Sequence, residues 1–393
     1  MPSSSGRSRR SWVSVPVVAV LIAVFLKSYL PQPQLDLSAV SKLAAEAVVA
    51  DQGAIPLGGI VVAVTGATSG IGRGLTSVLH DLGATIVAIG RSPNKLAALR
   101  EELGQERIET FVADLTDLNS VARVANEITS HFDHLDYLVN NAGIHYSSDL
   151  ILQFWSEQST PQGYDVAFGV NYLSHYLLTE KLIPLLERSD RKSPRIVQMS
   201  SSFHWLSDGL DLTAVNGEPP RASLGDAKSF FHRERSYANS KLGQILHARA
   251  LSRRFVETGS KVRAVSACPG WVGTKVGGTG LTQSLLEMIA YPNDGFGVAS
   301  TCLAMFQPAA ASGVDADYYI NSPVFEYLGD LVKKTAIDGA FRDALSWVSA
   351  ITLLYVQRLS PREKPSLSSP ESYNETIQDS LFRWSHTAVS EWL

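Results

Sequence analysis

The chain has 393 residues, 45% hydrophobic and 18% charged, and a net charge of −4, the profile of one large α/β domain with appendages. That balance gives no reason to expect a nucleic-acid partner. Two cysteines, Cys268 and Cys302, exclude a disulfide framework and stand in no metal-ligand spacing, so no metal is expected and the fold must rest on its core.

The N-terminus stands apart from that core. Arg7, Arg9 and Arg10 precede an apolar run over residues 12–26, broken by Ser14 and Pro16. A bilayer takes about 20 residues, a length the run reaches with Ser11 and the 27–30 flank. A cleavable signal peptide has the same layout, but no small-residue cleavage pattern follows Leu26. An organelle transit peptide is the third reading, since Ser and Arg dominate the start and Asp36 is the first acidic residue. The expectation is an uncleaved hydrophobic anchor over residues 1–30. Its arginines favour a cytosolic N-terminus, whereas a chain without paired cysteines gains nothing from an oxidising lumen. Topology therefore stays open, and with it the use of the sequon Asn374-Glu375-Thr376. Residues 31–53 read as a linker with a helical patch over 43–49.

From Ile60 onward, strand and helix periods alternate. Strands are expected at 60–64, 84–89, 107–112, 135–140, 195–199, 261–266 and 318–320, and helices at 72–82, 92–103, 120–131, 164–189 and 237–258. The pattern predicts an α/β fold over 54–322: a single doubly wound parallel sheet with helices on both faces. Its ligand crevice lies at the carboxyl ends of the strands, where the strand order reverses.

The first strand runs into Gly66, Gly70 and Gly72, spaced Gly-x-x-x-Gly-x-Gly before a helix. Such a turn lets backbone N–H groups and the helix dipole meet a diphosphate; an ordinary tight turn is the alternative. The second strand ends at Arg91, where a carboxylate would take the ribose 2′-hydroxyl of NAD. An arginine there favours the 2′-phosphate of NADP(H), with Arg73 as a helper, unless Arg91 is a solvated surface group. Asp114, closing the third strand, can accept hydrogen bonds from an adenine amine or cap the next helix, a role open to Asp117 as well. Asn140-Asn141-Ala142-Gly143 suits a loop that lines a cofactor and locks neighbouring strands, or a plain turn.

Tyr237 and Lys241 lie one helical turn apart, on one face. An ammonium near a phenol lowers the phenol pKa from about 10 and makes it a usable general acid or base. Ser200, Ser201 and Ser202 follow the 195–199 strand into the same crevice, and Ser201 is taken as the group that polarises a carbonyl.

Together these residues resemble the short-chain dehydrogenase/reductases, most of all the retinol dehydrogenase-like and steroid dehydrogenase-like membrane-associated members. The matching pieces are Thr65-Gly66-Ala67-Thr68-Ser69-Gly70-Ile71-Gly72, Asn140-Asn141-Ala142-Gly143, Val170-Asn171-Tyr172-Leu173, Met199-Ser200-Ser201, Tyr237-Ala238-Asn239-Ser240-Lys241 and Pro269-Gly270-Trp271-Val272-Gly273-Thr274. The resemblance implies a Rossmann fold and a catalytic tetrad of Asn171, Ser201, Tyr237 and Lys241. Tyr237 would donate the proton to a carbonyl oxygen held by Ser201. Lys241 would bind the nicotinamide ribose and depress the Tyr237 pKa, and Asn171 would hold a water linking Lys241 to solvent. It further implies that NADP(H) is bound by Gly66, Thr68, Ser69, Gly70, Ile71, Gly72 and Arg91. Asp114, Leu115, Asn141, Ala142, Gly143, Tyr237 and Lys241 would continue that site, and Pro269, Gly270, Val272 and Thr274 would complete it.

Two stretches depart from the family pattern. The long interval between Ser201 and Tyr237, with His204, Trp205, Asp208, Pro219-Pro220 and a basic cluster of His232, Arg233 and Arg235, reads as an extra loop at the rim of the site. The 323–393 extension carries a short apolar segment, 345–356, that suits a buried or interfacial helix. The resemblance implies that the loop over 272–292 covers the substrate, and its glycines permit lid movement while its apolar residues would line a pocket. The whole predicts an NADP(H)-dependent oxidoreductase for a lipophilic ketone, aldehyde or alcohol, at the endoplasmic reticulum or lipid-droplet membrane, with a homodimer compatible. The alternative is a non-catalytic NADP(H)-sensing or scaffold protein on the same fold.

Overall fold

The parallel sheet is built from β1 (Val61–Thr65), β2 (Thr85–Gly90), β3 (Ile108–Val112), β4 (Tyr137–Asn140), β5 (Arg195–Met199), β6 (Arg263–Cys268) and β7 (Tyr318–Ile320). Their order is β3-β2-β1-β4-β5-β6-β7, with every neighbouring pair parallel. The order reverses between β1 and β4, which sets the crevice at the carboxyl ends of those two strands. This is a computed structural model, and it describes residues 36–52, 57–145, 159–207, 210, 212, 232–270, 295–306, 318–320 and 368–393. The proposed anchor over 1–30, the lid over 272–292 and the apolar segment 345–356 lie outside the described residues. Among the described residues no helix is long and apolar enough to cross a membrane.

The helices are α1 (Leu37–Gln52), α2 (Gly70–Asp81), α3 (Pro93–Glu102), α4 (Leu118–His131), α5 (Ser174–Glu187), α6 (His232–Glu257), α7 (Gly295–Phe306) and α8 (Glu375–Ala388). Two apolar cores follow from the two-residue period of the strands. In β1, Val61 and Ala63 face the core shared with α4, α5 and α6. Val62 and Val64 face the opposite core, under α1, α2, α3 and α7.

Three departures from the sequence reading have identifiable causes. The stretch read as a linker contains the full helix α1, because Val40, Ala44, Ala47 and Val48 form a small apolar stripe that seats in the second core. The helix expected over 164–189 is interrupted. A single α turn, Val166–Phe168, capped by Asp165 (Oδ1 accepts from Phe168 N at 2.9 Å), is followed by a π-helical turn, Gly169–Leu173, and only then by α5. Such a turn inserts one residue into the helical register and re-aims the side chains around it, here Asn171. The third is α8, whose sequon residue Asn374 is its N-cap, accepting from Ile377 N at 3.2 Å.

Helix α8 lies across the outer face of α5 and α6. Tyr172 and Ser385 hydroxyls meet at 2.7 Å, Tyr176 donates to the Phe382 carbonyl at 3.4 Å, and the Phe168 and Trp384 rings stand 5.8 Å apart. Two buried histidines lie under this layer. Burial holds His175 down to about 4 and His247 down to about 3, so both are neutral in the folded chain. Below an ordinary histidine pKa of 6.5 the unfolded chain binds protons that the folded chain refuses, so stability falls as pH falls. Each histidine is expected to remove about 1.4 kcal/mol per pH unit below that value. Urea melts at neutral pH and near pH 5 check this, and an unchanged midpoint would contradict it.

Candidate active site

At the end of β1 the chain turns through Gly66 and Gly70, at φ values of +70° and +51°, conformations that favour glycine. Gly72 is required for a different reason. A Cβ there would overlap the Gly66 carbonyl oxygen and come within 2.5 Å of Asn141 Nδ2. The helix that follows, α2, has Ser69 at its N-cap with no side-chain hydrogen bond to the first turn. Its leading N–H groups are thus left for an anion at the crevice. An uncapped helix start beside a close-packed glycine turn fits a diphosphate.

The wall of this crevice is a hydrogen-bonded lock. Asn141 Nδ2 donates to Thr65 O at 2.8 Å, and Ala142 N donates to Thr65 Oγ1 at 2.9 Å. Asn140 Nδ2 reaches Thr179 Oγ1 at 2.8 Å and Gln198 Oε1 at 3.2 Å, joining β4 to α5 and β5. Thr65 Oγ1 also lies 2.9 Å from His175 Nε2, whose Nδ1 lies 2.9 Å from the Asn171 carbonyl. A carbonyl only accepts, so the proton sits on Nδ1 and the Thr65 hydroxyl donates to Nε2. The glycine turn and the Asn171 turn are thereby joined through one neutral imidazole.

Asn171 is fully buried. Its Nδ2 donates to Ile144 O and Ser240 Oγ, both at 2.9 Å, and its Oδ1 accepts from Ile144 N at 2.8 Å. The π turn thus aims this amide at both the loop after β4 and helix α6. On α6, Lys241 donates to Met199 O at 2.7 Å and Gln244 Oε1 at 3.0 Å. It is 4% exposed, and burial pushes its pKa down to about 7. A Cβ on Gly143 would stand 3.3 Å from both Lys241 Nζ and Asn171 Oδ1, so these three residues converge on one point.

The Tyr237 ring lies one turn earlier on the same face, its centre 5.5 Å from Lys241 Nζ. Burial pushes the phenol pKa up, and the hydrogen bond with the Ser201 side chain pulls it partly back. Here the structure departs from the expectation that lysine dominates the phenol, because the ammonium is turned to Met199 and Gln244. The three serines have separate roles. Ser200 Oγ donates to Lys241 O at 2.7 Å, Ser202 N donates to Cys268 Sγ at 3.2 Å, and Ser201, half-buried, is the one beside Tyr237.

A family model described as short chain dehydrogenase matches residues 60–204. Polyprenol dehydrogenase of Mus musculus is 33% identical over 56% of this chain and 62% of its own length. Retinol dehydrogenase 13 of Homo sapiens is 30% identical over 56% of this chain and 61% of its own length. The chain belongs to the short-chain dehydrogenase/reductase family. Its fold matches a crystal structure of an uncharacterised protein from Mycobacterium Paratuberculosis, at 22% identity and a TM-score of 0.58, covering 86% of this chain and 96% of that one. Members of this family are oxidoreductases that use a nicotinamide cofactor.

In this short-chain dehydrogenase the remaining predicted residues are distributed as follows. Arg91 follows β2 and is exposed; no described residue forms an ion pair with it. Arg73, the suggested helper, is instead ion-paired with Glu102 of α3. Asp114 Oδ1 accepts from Thr116 N at 3.0 Å and Thr116 Oγ1 at 2.8 Å, while the cap of α4 is Asp117. Of the alternatives for Asp114, capping the next helix therefore falls away. Leu115 packs half-buried against the first core. Thr68 and Ile71 are half-buried on the glycine turn. Pro269 and Gly270 follow β6, with Gly270 at φ +77°; Val272 and Thr274 lie outside the described residues.

Sequence reasoning passed over His145 and Phe203, and weighed Cys268 only for disulfide and metal chemistry. The His145 ring stands edge-on to Tyr237 at 4.6 Å and the Phe203 ring at 5.8 Å, so together they frame the phenol. His145 could have been found from its place two residues beyond the Asn-Asn-Ala-Gly loop. Cys268 ends a strand that was expected to stop at residue 266 and runs through Arg263–Cys268.

Proposed function

We propose that this short-chain dehydrogenase is an NADP(H)-dependent oxidoreductase that reduces a lipophilic ketone or aldehyde, or oxidises the corresponding alcohol. The observation that carries the proposal is the convergence of Tyr237, Ser201, Lys241 and Asn171 beside an uncapped, glycine-lined helix start. When bound, the reduced nicotinamide supplies a hydride to the carbonyl carbon. Tyr237 gives its O–H proton to the carbonyl oxygen, and the Ser201 hydroxyl holds that oxygen. Lys241 would hold the nicotinamide ribose, and with a pKa near neutrality it exchanges protons at working pH. Asn171 fixes the start of the path by which Lys241 meets solvent.

A phenol kept protonated by burial suits the reducing direction, in which Tyr237 starts as an acid. The lipophilic substrate class is supported by the relatives named for polyprenol and retinol, and by the apolar N-terminal run. With that run as an anchor, the enzyme would work at the endoplasmic reticulum or lipid-droplet membrane.

NADP(H) is preferred over NAD(H) on account of Arg91, an exposed guanidinium with no ion-pair partner among the described residues. A charge-assisted bond to a phosphate contributes about 1.5–3 kcal/mol, or roughly tenfold to a hundredfold in affinity. The test is turnover of the detergent-solubilised chain with NADPH and with NADH on retinal, a ketosteroid and a long-chain aldehyde. Arg91→Glu is expected to raise KM for NADPH by that factor and leave KM for NADH within about twofold. An equal effect on both cofactors would remove Arg91 from the phosphate site.

A further inference from the structure

The C-terminal segment enters the active site through a residue that is 165 positions away. His204, fully buried in the 3₁₀ turn Ser202–Leu206, accepts at Nε2 from the backbone N–H of Ser369 at 3.0 Å. Its Nδ1 lies 2.6 Å from the Ser201 carbonyl oxygen, which also receives the His204 backbone N–H at 3.0 Å. Because Ser369 N–H can only donate, Nε2 is the acceptor and the ring proton sits on Nδ1, pointed at Ser201. The same imidazole thus saturates the carbonyl of the catalytic serine with one nitrogen and holds the C-terminal backbone with the other.

The segment that supplies Ser369 is firmly seated. Arg249 of α6 lies over the Tyr373 ring at 3.9 Å and donates to Ser368 Oγ at 3.3 Å. Ser372 O accepts from Gln378 at 2.7 Å, which fastens the start of α8 to the same turn. Ser201 itself has extended backbone, φ −151°, and its Oγ accepts from Phe203 N at 3.3 Å. A carbonyl held at both lone pairs leaves the peptide plane, and with it the hydroxyl beside Tyr237, little freedom to turn.

We propose that His204 is a positioning residue for Ser201 and that the chain from Ser368 onward completes the catalytic unit through it. The inference rests on the reductase reading given above. Backbone geometry supplies a narrow test. Ser369 has φ −60°, which proline keeps, and its carbonyl, which accepts from Ser372, is retained. Ser369→Pro therefore deletes the N–H that His204 accepts, and Ser369→Ala controls for the lost hydroxyl.

Ser369→Pro and His204→Leu are expected to lower kcat about tenfold and the melting temperature by a few degrees, the cost of one buried unpaired group, with KM for NADPH close to wild type. Ser369→Ala should match wild type. His204→Gln should regain most of the rate, since an amide can accept from Ser369 and donate to Ser201. If Ser369→Pro fails to fold, the His204→Leu and His204→Gln pair carries the same comparison. Wild-type kcat in Ser369→Pro and His204→Leu, or equal losses in the Leu and Gln variants, overturns the positioning role alone. A wild-type chain that turns over no carbonyl with Tyr237 intact overturns the reductase reading instead.

Discussion

Tyr237→Phe is expected to reduce turnover by roughly a thousandfold, within the range for loss of a positioned general acid, while NADPH binding and thermal stability stay at wild-type levels. Only the phenolic oxygen is removed. The ring keeps its edge-on neighbours His145 and Phe203, and its backbone carbonyl still accepts from Ser240 Oγ at 2.7 Å. The group that loses a partner is the Ser201 hydroxyl, which is half-buried and open to water, so little stability is lost with it. The measurement pairs oxidation of NADPH, followed at the nicotinamide absorbance, with a cofactor titration by fluorescence. Loss of turnover with retained affinity separates an enzyme from a cofactor-sensing scaffold, which has no chemical use for the phenol. Retained turnover would mean that another group supplies the proton.

What was legible in the sequence, and what was not, divides along physical lines. The sheet could be read because strands buried on both faces are continuous apolar runs such as 60–64, and because β1 ends in three glycines. Tyr237 and Lys241 could be read because four-residue spacing puts them on one helix face. The choice of Ser201 among three serines had no local signal beyond the family pattern; it is the packing of Ser200 onto Lys241 and Ser202 onto Cys268 that separates them. Helix α1 was partly hidden because its buried stripe is built of Val and Ala, whose contrast with the exposed face is small. The π turn at Gly169–Leu173 depends on tertiary contacts, with Gly169 packed against Thr160. His175 and His204 were hardest to interpret. A lone histidine carries no periodicity, and the groups that define their roles, Thr65 and Ser369, are remote in sequence.

Gly72→Ala is expected to produce the second large effect, and it separates two reasons for glycine in one turn. Gly66 and Gly70 are needed for positive φ, whereas Gly72 is needed for space. An alanine methyl there meets the Gly66 carbonyl and the Asn141 amide. Neither is the free end of a flexible chain, since Asn141 is bonded to Thr65 O at 2.8 Å. Relief requires the turn to part from the Asn140-Asn141-Ala142-Gly143 loop, at a cost of about 1–3 kcal/mol for overpacking. The helix start would move away from the diphosphate position at the same time, so NADPH affinity should fall by roughly a hundredfold or more. Gly74→Ala is the comparison within the same helix. Its added methyl would approach Val298 Cγ2 at 2.9 Å, a buried contact that strains the second core rather than the glycine turn, and helix propensity offsets part of that strain by about 1 kcal/mol. That variant should bind NADPH nearly as well as wild type. Equal affinity in the Gly72 and Gly74 variants would show that the close approach of the two loops does not shape the cofactor site. A selective loss at Gly72 would tie cofactor binding to the Thr65–Asn141 lock, which continues through His175 to Asn171.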